Sequence, residues 1–287
     1  MSAVSSLRNV QLGSPPALRI IPDMPKIISP RFQFAMGLVV FLSHLAQPIA
    51  AVEDAATAPP GIAVIELFTS EGCSSCPAAD AVLAAQAATG RLGVFVLAYH
   101  VDYWDRLGWK DPFASASASQ RQSIYGKVFG TGRVYTPQAV VNGRLDIVGS
   151  EAGQIQTAIT RELARPAPAR VTLGATWSKR MCTATCVITT NPAQTRSAAT
   201  LTVALVEDAL TDVVTRGENA GRTLTHQRVV REFRSVPVTE TIAPMVFTLQ
   251  EGSIPEHTRV VAYVQDPRHT VIGAAETAWR APAPLAP

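Results

Sequence analysis

Two apolar runs rich in β-branched residues, IAVIELFTS (62–70) and GVFVLAYHV (93–101), flank a single helix-like segment. Both lack an alternating polar face, so each reads as a buried strand. Between them, PAADAVLAAQAATG (77–90) is Ala-rich, carries Pro in its first turn and ends on Gly90, the pattern of a short helix. Strands joined through a helix need a crossover and therefore pair in parallel. A strand–helix–strand unit with a parallel pair is thus predicted for this part of the chain.

The turn from the first strand into the helix reads SEGCSSCPAAD (70–80) and holds Cys73 and Cys76. A helix start offers unpaired N–H groups and partial positive charge, which favour a thiolate. Cys73 is the expected nucleophile, and Cys76 is placed to attack a mixed disulfide and release the partner. The hydroxyls of Ser74 and Ser75 can hydrogen-bond sulfur. A C-x-x-C beside a βαβ pattern reads as a thioredoxin-like redox motif.

Further on, the second half of DPFASASASQRQSIYGKVFG (111–130) is plausibly helical, its first half a lid or loop. TPQAVVNGRLDIVGS (136–150) reads as two short strands joined at Asn142-Gly143. Ser150 is the expected cap of a helix whose Ile155, Ile159 and Leu163 share a face. PAPA (166–169) looks like a linker. Beyond it, VTLGATW, CVITTN, TLTVALVED, MVFTLQ, TRVVAYVQD and TVIGAAETAW are strand-like runs between turn residues. The expected organisation is an α/β thioredoxin-like domain over 61–165, followed by a small all-β sandwich over 170–281.

ELFTSEGCSSCPAAD, AYHVDYWDRLGWKDPF and VYTPQAVVNG together resemble a secreted bacterial thioredoxin-like family of unknown function. TLTVALVED and RGENAGRTLTHQRVVR extend the resemblance to about 62–280. It implies a cis-proline at Pro137 opposite the cysteines. It also implies that Thr136 and Pro137 offer backbone to an extended partner chain, a form of strand addition. The Ser-Ser between the cysteines departs from the Gly-Pro of thioredoxin itself, and no Trp precedes Cys73. The direction of electron flow is therefore left open.

His100 and Asp102 follow the second strand, at the strand ends where open α/β sheets carry their sites. They are candidates for proton transfer, against a plain role as hydrogen-bonded structural residues. Trp104, Trp109 and Phe113 suit a substrate wall or a core cover. Arg222, His226, Arg228 and Arg231 suggest an anion site or, as the blander reading, a salt-bridged strand face. Cys182 and Cys186 in CTATC are the candidates for a structural disulfide. In a continuous strand they would lie about 13 Å apart, so bonding requires a turn. A second redox pair is the sharper alternative. A zinc or copper site at Cys73 and Cys76 would need partners from Cys182, Cys186 or His100. No metal and no organic cofactor is called for, since the dithiol itself carries the chemistry.

Lys26 and Arg31 precede an apolar stretch, Phe34 to Leu45, and then small residues at Ala50 and Ala51. That is the layout of a secretory signal segment over 1–51, with Met24 as a more ordinary start. The stretch is short for a bilayer span. No stable span is expected after cleavage, and the chain is expected in the periplasm. There, disulfides persist. Four basic and one acidic residue fall in 1–51, leaving 21 of each sign in the remainder. A neutral mature chain offers no electrostatic basis for binding nucleic acid. The functional expectation is thiol–disulfide exchange with a protein or small thiol partner. The contrary reading is a non-catalytic binding module.

Overall fold

The computed structural model describes residues 60–190 and 198–280. The expected signal segment, 1–51, lies outside the described residues. β1 (Ala63–Thr69) runs through the cysteine turn into α1 (Cys76–Ala88), and β2 (Val94–His100) returns parallel to β1. A 3-10 turn over Asp102–Leu107 leads to α2 (Ala116–Val128), whose N-cap Ser115 accepts a bond from the Ala118 N–H. β3 (Gln138–Val141) and β4 (Leu145–Val148) form the hairpin at Asn142-Gly143, where both residues have positive φ. α3 (Ala152–Leu163) follows, its N-cap at Glu151 rather than Ser150.

The second half is strands apart from a 3-10 turn at Pro255–His257: β5 (Ala169–Ser178), β6 (Met181–Thr190), β7 (Thr200–Glu207), β8 (Leu210–Val213), β9 (Thr223–His226), β10 (Val229–Pro237), β11 (Met245–Thr248), β12 (Thr258–Gln265) and β13 (Val271–Ala278). They do not form a sandwich of their own, which corrects the expected fold class. Four of them extend the first half's sheet, giving eight strands in the order β13-β12-β7-β10-β2-β1-β3-β4. The join is parallel: Val229 of β10 faces Ala98 of β2, and the Ala98 N–H donates to the Arg228 carbonyl at 2.8 Å. β2 is apolar on both faces, and as an open edge it would expose unpaired backbone beside apolar side chains. Covering it with β10 removes that liability.

The cores follow from this continuity. On one face, Val64, Phe68, Leu97 and Tyr99 pack with Tyr125 of α2 and with Val206, Val261 and Tyr263 of the second half. A thioredoxin-like domain beside a separate sandwich would keep two cores, whereas here one is shared. On the other face, α1 and α3 cover Ile65, Leu67, Val96 and Val141. The three-stranded sheet β11-β6-β5 covers β7 and β12 through Phe247, Trp177, Leu201 and Val260. No helix among the described residues is long and apolar enough to cross a membrane.

Inside the shared core lies a charge. Glu66 of β1 is fully buried, and Arg121 of α2 pairs with it through Nε and through Nη2. Arg121 also donates to the Tyr125 hydroxyl and to Gln265 Oε1, each at 3.0 Å. Its guanidinium lies 5.2–5.6 Å from the ring centres of Tyr99, Tyr125 and Tyr263.

Candidate functional site

Cys73 and Cys76 are joined in a disulfide, with Cα atoms 5.4 Å apart. α1 begins at Cys76, so this cysteine occupies the first helical position and Cys73 the turn before it. The Cys73 sulfur is 3.4 Å from the Ser75 hydroxyl. Both cysteines are buried, at 1% and 0% exposure, while Ser74 and Ser75 are exposed.

The second half of the chain also reaches the cysteine turn. The loop between β8 and β9 lies across the cysteine turn. Asn219 donates from Nδ2 to the carbonyls of Glu71 at 2.8 Å and Cys73 at 2.9 Å, and Arg222 holds its Oδ1 at 2.7 Å. Glu218 accepts the Ser74 N–H at 2.9 Å from the solvent side, and these bonds hold its carboxyl below the usual range. Gly217 lets the loop approach, since a Cβ there would come within 3.3 Å of the Trp109 Cβ in a positive-φ backbone. Removing the Asn219 amide in Asn219→Ala deletes two hydrogen bonds worth about 1 kcal/mol each. Reduction of the pair by a small thiol is expected to quicken by roughly tenfold or more, followed by timed alkylation and mass analysis. An unchanged rate would show that the loop does not limit access.

Behind the turn is a buried charged cluster. His226, the last residue of β9, places Nε2 2.9 Å from Glu71 Oε1 and Nδ1 3.5 Å from Asp80 Oδ2. The second distance is long for a hydrogen bond but within ion-pair range. Burial alone would depress the imidazolium, yet the Asp80 and Glu71 carboxylates outweigh it and raise His226 to about 9. Glu71 Oε2 accepts the Trp109 indole N–H at 2.8 Å, and Asp80 Oδ1 accepts the Thr69 hydroxyl at 2.8 Å. His100 Nδ1 lies 2.7 Å from Asp111 Oδ2, which also accepts the Glu71 N–H at 2.9 Å. Burial pushes the Asp111 carboxyl up, but His100 and the two backbone donors more than offset it, leaving it below its ordinary value. The two imidazoles meet edge to face with centroids 4.8 Å apart, and Phe113 packs on both.

The positions singled out in the sequence therefore divide. His100 joins this cluster. Asp102 does not: it is tied to α2 by accepting the Ser119 hydroxyl at 2.5 Å. Thr136 and Pro137 connect to the cysteine turn through Trp104. Their peptide bond is cis, the Thr136 hydroxyl accepts the Trp104 indole N–H at 2.8 Å, and a Cβ on Gly72 would sit 3.0 Å from Trp104 Cβ. Among the described residues neither the N–H nor the carbonyl of Thr136 has a hydrogen-bond partner. The aromatic residues Trp104, Trp109 and Phe113 thus gather at this end of the sheet.

Cys182 and Cys186 are not a disulfide. They occupy one unbroken strand, β6, as free thiols in the C-terminal core. Without a turn between them, a strand holds such residues about 13 Å apart. Burial pushes Cys182 up to about 12 and Cys186 to about 11, so neither is a ready nucleophile. Nor do they supply ligands to Cys73 and Cys76: among the described residues no group of three or more His, Cys, Asp and Glu is arranged to hold a metal.

Glu71, Asp80, Asn219 and the role of His226 escaped the sequence reading. His226 sat in a strand-like stretch that reads as a salt-bridged face. Of the four basic residues there, Arg228 does sit between Asp208 and Glu276, and Arg231 occupies a bulge in β10 over the Phe113 ring. Only its alternation with Leu224, two residues earlier on the same strand face, marks 226 as different.

The model of a family described as "Protein of unknown function (DUF1223)" matches residues 64–265. No curated protein matches the chain. Among solved structures, a crystal structure of an Agrobacterium tumefaciens protein is similar at 24% identity, covering 79% of this chain and 98% of that one, with a TM-score of 0.58. HBP35 of Porphyromonas gingivalis is similar at 19% identity, covering 80% of this chain and 79% of that one, with a TM-score of 0.56. At these identities the two likenesses speak for the fold alone.

Proposed function

Because the chain belongs to the DUF1223 family of proteins of unknown function, its activity has to be argued from the site itself, and we propose thiol–disulfide exchange by Cys73 and Cys76. The observation that carries this reading is the disulfide at the start of α1, backed by a buried cluster of proton-exchanging side chains. Structural cysteines need no such cluster.

The exchange runs with a partner that carries two thiols, on a protein or a small molecule. A partner thiolate attacks the Cys73 sulfur. The Cys73–Cys76 bond breaks, and Cys76 leaves as a thiolate at the first position of α1, where unpaired N–H groups favour an anion. The partner's second thiolate then attacks its own sulfur in the mixed disulfide. Cys73 departs, the partner is oxidised to a disulfide, and both electrons rest on the Cys73–Cys76 dithiol, which takes up two protons. In the reverse direction Cys73 attacks and Cys76 resolves. The open backbone of Thr136, next to Pro137, is where an extended partner would pair. The periplasm is the fitting compartment, given the signal-like segment in 1–51 and the disulfide.

The burial of both cysteines favours a second reading, a binding module in which the disulfide is only a clamp. A redox titration in glutathione buffers separates the two, with trapped thiols assigned by mass. An exchange protein shows a reversible midpoint for Cys73–Cys76 well above about −300 mV, the region of inert structural disulfides. A pair that stays locked across the range overturns the proposal.

A further inference from the structure

Building on the exchange reading above, we propose that His226 is a positioning residue that sets the redox balance of the cysteine pair by neutralising the two carboxylates that flank it. The geometry is specific. Glu71 lies two residues before Cys73, and Asp80 lies one helical turn after Cys76. His226 is buried between them and reaches both. No residue near the cysteines in sequence supplies this charge; it arrives from β9.

The surroundings define how much charge is balanced. From the turn after β1 comes Glu71, from α1 Asp80, and from the end of β2 His100, with its own carboxylate Asp111. Arg231 of β10 stacks over Phe113, is 3.5 Å from Glu207 and also feels the Asp111 carboxylate. Among the described residues, only His226 pairs with both Glu71 and Asp80. In its absence the buried Glu71 and half-buried Asp80 carboxylates would be left with their charges unopposed, a costly state.

Opening the disulfide creates a thiolate at Cys76. Two electrons come from the partner dithiol, which becomes a disulfide, and the protons arrive afterwards. An unopposed pair of carboxylates repels that thiolate and disfavours the reduced form. The His226 imidazolium cancels part of this repulsion. Because its proton is held up to about 9, the effect persists across neutral pH and fades as pH rises through that value.

The test compares full-length wild type, His226→Gln and Asp80→Asn in glutathione redox titrations between pH 6 and pH 10. His226→Gln is expected to lower the equilibrium constant for reduction at least about tenfold, a midpoint about 30 mV more negative. Asp80→Asn removes a negative charge and is expected to shift the midpoint the other way. Wild type shows an added fall of the midpoint near pH 9 that His226→Gln lacks. A merely structural role would lower the melting temperature without moving the midpoint. Midpoints that coincide in all three proteins, or that shift the same way in both variants, overturn the role of His226 while leaving the exchange reading intact. A wild-type pair that reaches no equilibrium with glutathione overturns both.

Discussion

Arg121→Met will lose about 3–5 kcal/mol of unfolding free energy, the usual consequence of removing one partner of a buried ion pair. Glu66 would be left in the shared core without its cation. The same change strips a donor from the Tyr125 hydroxyl and from Gln265, and it removes the cation from among three tyrosine rings. Because Gln265 and Tyr263 belong to β12, the loss is felt across both halves of the sheet rather than in α2 alone. Urea denaturation measures it as a lowered midpoint with an unchanged slope. The double variant Arg121→Met, Glu66→Leu is expected to recover much of the stability, since a buried pair replaced whole by apolar side chains is often neutral. A single variant as stable as wild type would mean that water reaches Glu66.

Cys76→Ser will retain the fold and lose turnover. A four-residue disulfide loop contributes only about 2 kcal/mol by the chain-entropy argument, less than the buried Arg121 pair. The chemical loss is larger. A well-placed intramolecular thiol acts at an effective concentration on the order of 10⁵ M or more, which no millimolar external thiol replaces. Turnover in the disulfide-reducing direction, where Cys73 attacks a substrate disulfide and Cys76 resolves, is expected to fall by at least about a thousandfold, with the mixed disulfide accumulating on Cys73. Cys73→Ser should accumulate none. If Cys76→Ser turns over at the wild-type rate, or traps nothing when the wild-type pair is shown to be reducible, the assigned order of attack is wrong.

Local patterns carried the first half well. The continuous apolar runs marked β1 and β2, proline and alanine marked α1, and Asn142-Gly143 marked the turn of the β3–β4 hairpin. Each of these depends on residues within a few positions of one another. The architecture of the second half does not. Its attachment rests on a single register, Val229 against Ala98, with no local signature, so the linker-like PAPA was read as a boundary between separate folds. The site was half legible for the same reason. Cys73, Cys76, Thr136 and Pro137 stand in motifs, but Glu71 and His226 are 155 residues apart, and only the folded sheet brings them together. One local signal does point across the chain: Glu66 interrupts an otherwise apolar strand, and a carboxylate in that setting calls for a buried cation. CTATC misled in the opposite sense, because two close cysteines in a chain with a signal-like segment invite a bond that a straight strand forbids.

The β8–β9 hairpin supplies both the Asn219 that lies over Cys73 and the His226 that stands behind it. Asn219 follows Cys73 by 146 residues. Synthesis at about 5–20 residues per second makes that gap roughly seven to thirty seconds. Throughout that interval the nascent chain presents the cysteine pair bare, with neither its cover nor its counter-charge in place. The Cys73 and Cys76 thiols are thus most open to whatever oxidises them before the protein is finished, and the arrival of one late hairpin closes that window.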